Sequence, residues 1–126
     1  MDISGDINWT VAGNGSVPAF THEVGISFPI VGDITSSTTV TLANGYTLTV
    51  PSLSGADSVI FMVGGVSVTV PGNPTSHAFT ASDLSSLTAG PSVAQVATYK
   101  TELATYGGKD FYFVNETVET VSITME

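Results

Sequence analysis

The chain has no cysteine, and lysine and arginine together number only two, against eleven aspartates and glutamates in 126 residues. Without thiols, neither a disulfide-stapled scaffold nor a thiolate metal site is possible. A formal charge of −9 and two lysines, Lys100 and Lys109, leave nothing to neutralise a run of phosphates, which excludes nucleic acid as a partner and disfavours anionic membranes. No stretch approaches the ~20 consecutive apolar residues of a membrane-spanning helix. Charged residues are scarce altogether, 10% of the chain, so its polar faces must be covered by Thr, Ser, Asn and Gly. That composition suits exported or surface-displayed β-modules better than cytosolic enzymes.

What the chain does have is a two-residue beat. Thr39-Val40-Thr41-Leu42, Tyr46-Thr47-Leu48-Thr49-Val50 and Val66-Ser67-Val68-Thr69-Val70 alternate apolar and hydroxyl side chains between Gly, Pro or Asn punctuation, which sets one strand face in a core and the other in water. A first strand is expected from Ile3 to Val11, with Ile3, Ile7, Trp9 and Val11 on one face, which makes Trp9 a core residue. Phe20, His22 and Val24 resume the period before Pro29 ends it. Val40–Leu42 and Tyr46–Val50 flank Asn44-Gly45 and are expected as a hairpin or one interrupted strand. Ser58–Val63, the one continuous apolar run, reads as a central strand, and Gly64-Gly65 folds it back onto Val66–Val70. Ser82–Leu87, a capping hydroxyl followed by leucines three apart, predicts one or two turns of helix.

The longest hairpin is expected to run out through Val93–Thr105, turn at Gly107-Gly108 and return through Phe111–Met125. In the return strand the apolar positions change parity, from Val114 and Val118 to Val121, Ile123 and Met125. A bulge near Glu119-Thr120 is expected to absorb the change, since otherwise one set faces water. About seven strands result, which fit a single all-β domain over residues 1–126, a Greek-key immunoglobulin-like β-sandwich of about seven strands with one short helical turn.

The order from Tyr46–Val50 through Ala56–Val59, Val66–Val70, Phe79, the Leu84–Gly90 corner and the closing hairpin resembles fibronectin type III and other immunoglobulin-like modules. Leu87-Thr88-Ala89-Gly90 is similar to the corner that leads such domains into their sixth strand. Tyr46 and Leu48 stand where a tryptophan is usual, and Val93 where a corner tyrosine is. Trp9-Thr10-Val11, Val17-Pro18-Ala19-Phe20 and Phe113-Val114-Asn115-Glu116 resemble segments of uncharacterised surface lipoproteins of Bacteroidota. That resemblance implies export and attachment through a lipidated N-terminus.

The opening residues carry neither a basic start nor an apolar run. The chain is therefore read as a domain cut from a longer exported, cell-surface protein, in preference to a cytosolic one. For function, no nucleophile, base, metal or phosphate-binding motif stands out. His22 and His77 lie in different strand candidates and would bind a metal only if brought together with carboxylates such as Glu23 or Asp83. Asp2, Asp6, Asp33, Asp57 and Asp110 sit near strand ends without calcium-loop spacing. Glu23, Glu102, Glu116 and Glu119 could supply a hydrolytic carboxylate pair only by meeting in space. Asp57-Ser58-Val59 and the Asn-x-Ser/Thr triplets at Asn8, Asn14 and Asn115 are short glycosylation-like patterns. No metal, cofactor or catalytic residue is assigned, and the expectation is a non-catalytic module.

The aromatic cluster of the last hairpin is the better binding candidate. Tyr99, Tyr106 and Tyr112 are the candidate ligand-binding residues, with Tyr106 and Tyr112 pointing outward and Phe111 and Phe113 inward. The partner is a glycan or a protein, and the competing readings are a spacer, a carbohydrate-binding accessory domain of a polysaccharide-degrading system, and a small hydrolase.

Overall fold

The fold is taken from a computed structural model, which describes residues 6–126. The expected strand positions Ile3 and Ser4 and the candidate ligand Asp2 lie outside them. Eleven strands follow in order: β1 (Ile7–Val11), β2 (Phe20–Val24), β3 (Ile30–Val31), β4 (Thr39–Val40), β5 (Tyr46–Thr49), β6 (Leu53–Ser54), β7 (Ser58–Val63), β8 (Val66–Pro71), β9 (Ser76–Phe79), β10 (Gly90–Tyr106) and β11 (Lys109–Met125). Seven of them make an all-β sandwich. One sheet has the order β4-β11-β10-β7-β8, and β5-β9 forms the other.

The alternating pattern explains the core. On the inner face of the large sheet Val59, Phe61 and Val63 of β7 stand opposite Thr98, Val96 and Ala94 of β10, with Ile123 and Met125 of β11 beside them. Tyr46, Leu48 and Phe79 come down from β5 and β9 to close the cluster. Burial of these aliphatic and aromatic groups, at about 25 cal/mol per Å² of apolar surface, is what holds the two sheets together. β7 occupies the interior position of its sheet that its apolar run predicts. Gly64 and Gly65 make the tight turn into β8, and their positive φ values, 58° and 102°, are ones that L side chains resist.

Three expectations are corrected. Val40 and Tyr46–Val50 form neither a hairpin nor one strand: β4 lies parallel to the end of β11, whereas β5 pairs with β9. A 3-10 turn at Leu42–Asn44 carries the chain between the sheets, and Asn44-Gly45 marks that crossing. Ser82–Leu87 forms hydrogen-bonded turns without a helix. Thr80 and Asp83 cap each other there, the Asp83 carboxylate accepting from the Thr80 N–H and hydroxyl, but the bonds that follow are mainly of the short i to i+3 kind. The leucines still do the expected packing, Leu84 being fully buried and Leu87 lying against the core. The bulge near Glu119-Thr120 is absent too. β10 and β11 pair without interruption from Gly90↔Met125 to Tyr106↔Lys109, so the apolar set at Val114 and Val118 does face water.

This hairpin is longer than the sandwich. β10 pairs with β7 only from Ala94 to Tyr99, and beyond that point both strands overhang. The antiparallel β1–β2 hairpin lies across the inner face of the overhang as an arm. At the tip Gly107, φ 57°, comes so near Pro18 that a Cβ there would stand 2.9 Å from the proline ring.

Candidate functional site

Strand parity divides the last hairpin into two surfaces of different chemistry. Its inner side carries Glu102 and Tyr106 from β10 and Phe111, Phe113 and Asn115 from β11; its outer side carries Val93, Tyr99, Leu103, Tyr112, Val114 and Val118.

On the inner side, His22 of the arm is the hub. Its Nε2 lies 2.5 Å from Glu102 Oε1 and its Nδ1 2.7 Å from the Tyr106 hydroxyl. With the Nε2 proton donated to the carboxylate, Nδ1 accepts the phenolic proton. Glu102 uses its other oxygen to accept the Gly25 N–H at 3.0 Å. The imidazole is stacked on Phe113, centroids 4.0 Å apart, and Phe20 is stacked on Tyr106 at 4.2 Å and tilted against Phe111 at 4.5 Å. Every polar atom of the chain Glu102–His22–Tyr106 is thereby engaged, and the rings shield it. The arrangement fastens the arm to the overhang. Asn115, 4% exposed, adds a bond from its amide to the Ile26 carbonyl, and the Thr117 hydroxyl donates to that of Pro29.

The expected candidates are divided by this geometry. Tyr99 and Tyr112 share the outer face, whereas Tyr106 points inward, with Phe111 and Phe113, and its ring and hydroxyl are both occupied by the arm. Trp9 is not a core residue: it is 53% exposed, with its ring tilted toward Phe113 at a centroid distance of 6.3 Å. The two histidines serve different cores. His77, opposite Leu48, packs between Phe61 and Phe79 in the sandwich. Among the described residues no three of His, Asp and Glu gather in a way that would hold a metal ion. Asp57 is spent on structure, its carboxylate accepting the Thr101 N–H at 2.8 Å where β7 ends and the overhang begins.

Two surface features stand out among the described residues. A depression of about 480 Å³ beside the arm is lined by Asp6, Ile7 and the segment from Glu23 to Phe28, and is polar and acidic in character. The broader feature is the outer face of the large sheet. Five large apolar side chains exposed in this molecule, Val93 (40%), Leu103 (53%), Tyr112 (67%), Val114 (57%) and Val118 (41%), all lie on it. Within β7, β8, β10 and β11 the charged residues that point to that side are Asp110 and Glu116, the latter between Val114 and Val118, whereas Lys100 and Lys109 point to the other. Sequence reading singled out Tyr99 and Tyr112 but not Leu103, Val114 and Val118. The signal for the valines was the parity change that a bulge was expected to absorb. No family model, curated protein or solved structure matches the chain.

Proposed function

We propose that this domain is a non-catalytic recognition module of an exported, cell-surface bacterial protein, built on an immunoglobulin-like sandwich, with the outer face of the β10–β11 hairpin as its contact surface. The observation that carries this reading is the row of exposed Val93, Val118, Val114, Leu103 and Tyr112 on one face, with the exposed Glu116 between Val118 and Val114 and Asp110 at the tip as the charges that β10 and β11 present there, in a chain of net charge −9. A contiguous row of exposed apolar side chains bordered by polar residues marks an interaction surface. Aliphatic groups predominate in the row, which favours a protein partner, since sugars are held by flat rings and hydrogen-bonding side chains. Tyr99 and Tyr112 on the same face supply the two rings on which a glycan reading rests.

The strand order β4-β11-β10-β7-β8 against β5-β9 is compatible with immunoglobulin-like modules, and the paucity of charge suits surface display. The test is a screen of the purified domain on a glycan array and an array of purified extracellular proteins, beside a Leu103→Ser/Tyr112→Ser variant and a Tyr99→Ala/Tyr112→Ala variant. Loss of a protein signal in the first variant supports the protein reading; loss of a glycan signal in the second transfers the role to carbohydrate recognition. Silence of the wild-type domain on both arrays overturns recognition in favour of a spacer.

A further inference from the structure

The second unpartnered feature of the last hairpin is its edge rather than its face. Thr124 and Glu126 donate their N–H groups to Thr38 and Val40, so the even-numbered residues of β11 turn their backbone away from β10. β4 covers that edge only at Thr124 and Met125. From Asp110 to Ser122, among the described residues, no strand and no loop backbone bonds to it. Several devices that normally blunt such an edge are missing, since β11 has no proline, no bulge, and no lysine after Lys109 at the hairpin tip, and the charges along it are the carboxylates Asp110, Glu116 and Glu119.

We infer that β11 pairs antiparallel with β11 of a second copy of this chain, joining two large sheets into one about a twofold axis at Asn115. The register follows from charge and space. Centring the pair at Asn115 sets Asp110 opposite Thr120, Tyr112 opposite Val118, Val114 opposite Glu116 and Phe111 opposite Glu119, so no carboxylate stands directly opposite another, and the one diagonal pair of carboxylates is Glu116 with its own copy. Lys109 of each copy becomes the diagonal neighbour of Glu119 in the other, an attractive pair formed twice on a molecule with only two lysines. Sliding to the next longer overlap sets Glu116 against itself, and the one after drives the tip of one copy into β4 of the other at Thr124. The Asn115 register is therefore the longest that charge and β4 permit. It pairs Lys109 to Val121, about 40 Å of strand at ~3.3 Å per residue, and the outward-facing residues exchange about twelve backbone hydrogen bonds.

An edge contact of that length and about 10 Å of side-chain height buries roughly 800 Å² over both copies, in the range of weak association. A concentration-dependent dimer is expected, and it strengthens with salt because each copy carries −9. This dimer stands apart from the recognition reading, which concerns the outer face.

Sedimentation equilibrium across a concentration series measures the dimer, and cysteine pairing, in a chain that has none of its own, reads the register. A mixture of Tyr112→Cys and Val118→Cys domains should oxidise to the mixed covalent dimer in preference to either self-dimer, whereas Tyr112→Cys mixed with Ser122→Cys should not. Val118→Pro removes an N–H that points outward, costs no intramolecular ladder bond, and should weaken the dimer roughly tenfold or more. Its fold is checked by circular dichroism. A strict monomer at millimolar concentration overturns the inference. So does a dimer that tolerates Val118→Pro but is lost in Leu103→Ser/Tyr112→Ser, which would show the faces meeting instead of the edges.

Discussion

Up to Tyr99 the last hairpin is one wall of an aliphatic sandwich; beyond it the same two strands carry the β1–β2 arm on rings and a histidine–carboxylate pair. Val59, Phe61, Val63, Val96 and Leu48 in the first region are each at most 1% exposed, and their attraction has no direction. In the second region Phe113 is buried but Phe20, His22 and Tyr106 are only half so, and the contact relies on directed bonds and ring geometry. A two-stranded hairpin alone is marginal in water. The arm thus borrows its order from the overhang, and the overhang gains an inner cover from the arm. The comparison teaches that one continuous hairpin can be held by two different mechanisms with a one-way dependence: damage to the arm's contacts should stay local, whereas damage to the sandwich should reach the arm.

The strongest way to break the comparison is Phe61→Ala, which empties the centre of the sandwich. Large-to-small changes of this kind cost about 3–5 kcal/mol. Chemical denaturation should show a lower midpoint, with hydrogen exchange accelerated in β7, β10 and the arm together, since the arm has no core of its own. Protection of the arm that survived this change would show it to be an independent unit.

Glu102→Ala sharpens the comparison from the other side. It leaves the His22 Nε2 and the Gly25 N–H without their acceptor, a loss of about 1–3 kcal/mol for partly buried groups. The expected outcome is local: exchange protection falls across Ile7–Val11 and Phe20–Val24, while the amides of Val59–Val63 and Ala94–Thr98 keep theirs. A global loss of equal size in both regions would refute the division.

How far the residues foretold this division depends on the periodicity behind each region. The sandwich was legible because its strands alternate cleanly, as at Val66–Val70, and because a Gly-Gly turn after the one apolar run admits few foldings. The crossing at Leu42–Asn44 was not, since Asn-Gly signals a turn without saying which sheet follows. The arm was half legible. Phe20, His22 and Val24 announced a strand, but the partners of His22, Glu102 and Tyr106, are 80 and 84 residues away, and no local pattern carries such a pairing. Val114 and Val118 were misread on sound physics: a strand with apolar residues of both parities either bulges or exposes one set. The rule that apolar groups avoid water chose the bulge, whereas an uninterrupted ladder, as found, leaves the exposed set available for a partner.

Tyr46 and Asp83 offer smaller perturbations that pH can apply to the sandwich alone. The Tyr46 hydroxyl donates to the Ser37 carbonyl at 2.8 Å, and burial raises its pKa above the ordinary value near 10. A raised folded-state pKa means that its contribution is complete below about pH 10 and is lost as pH rises through the folded value. Tyr46→Phe should therefore cost about 1 kcal/mol at neutral pH through the lost bond, and should flatten the alkaline limb of the stability curve.

Asp83 acts in the opposite direction and more weakly. Hydrogen bonds from the Thr80 N–H and hydroxyl hold its carboxyl below the usual value, so its contribution is present above about pH 4 and disappears as pH falls through the lowered one. The group is fully exposed, and only a slight loss at pH 7 is expected from Asp83→Asn, together with a shallower acid limb in pH-dependent thermal melts. Because Asp83 opens the turn that seats Leu84 in the sandwich, the variant should leave exchange in the arm unchanged at every pH where the sandwich is folded. A change in the protection of Phe20–Val24 would mean that the turn and the arm communicate, and the two-region description would fail at its least perturbing test.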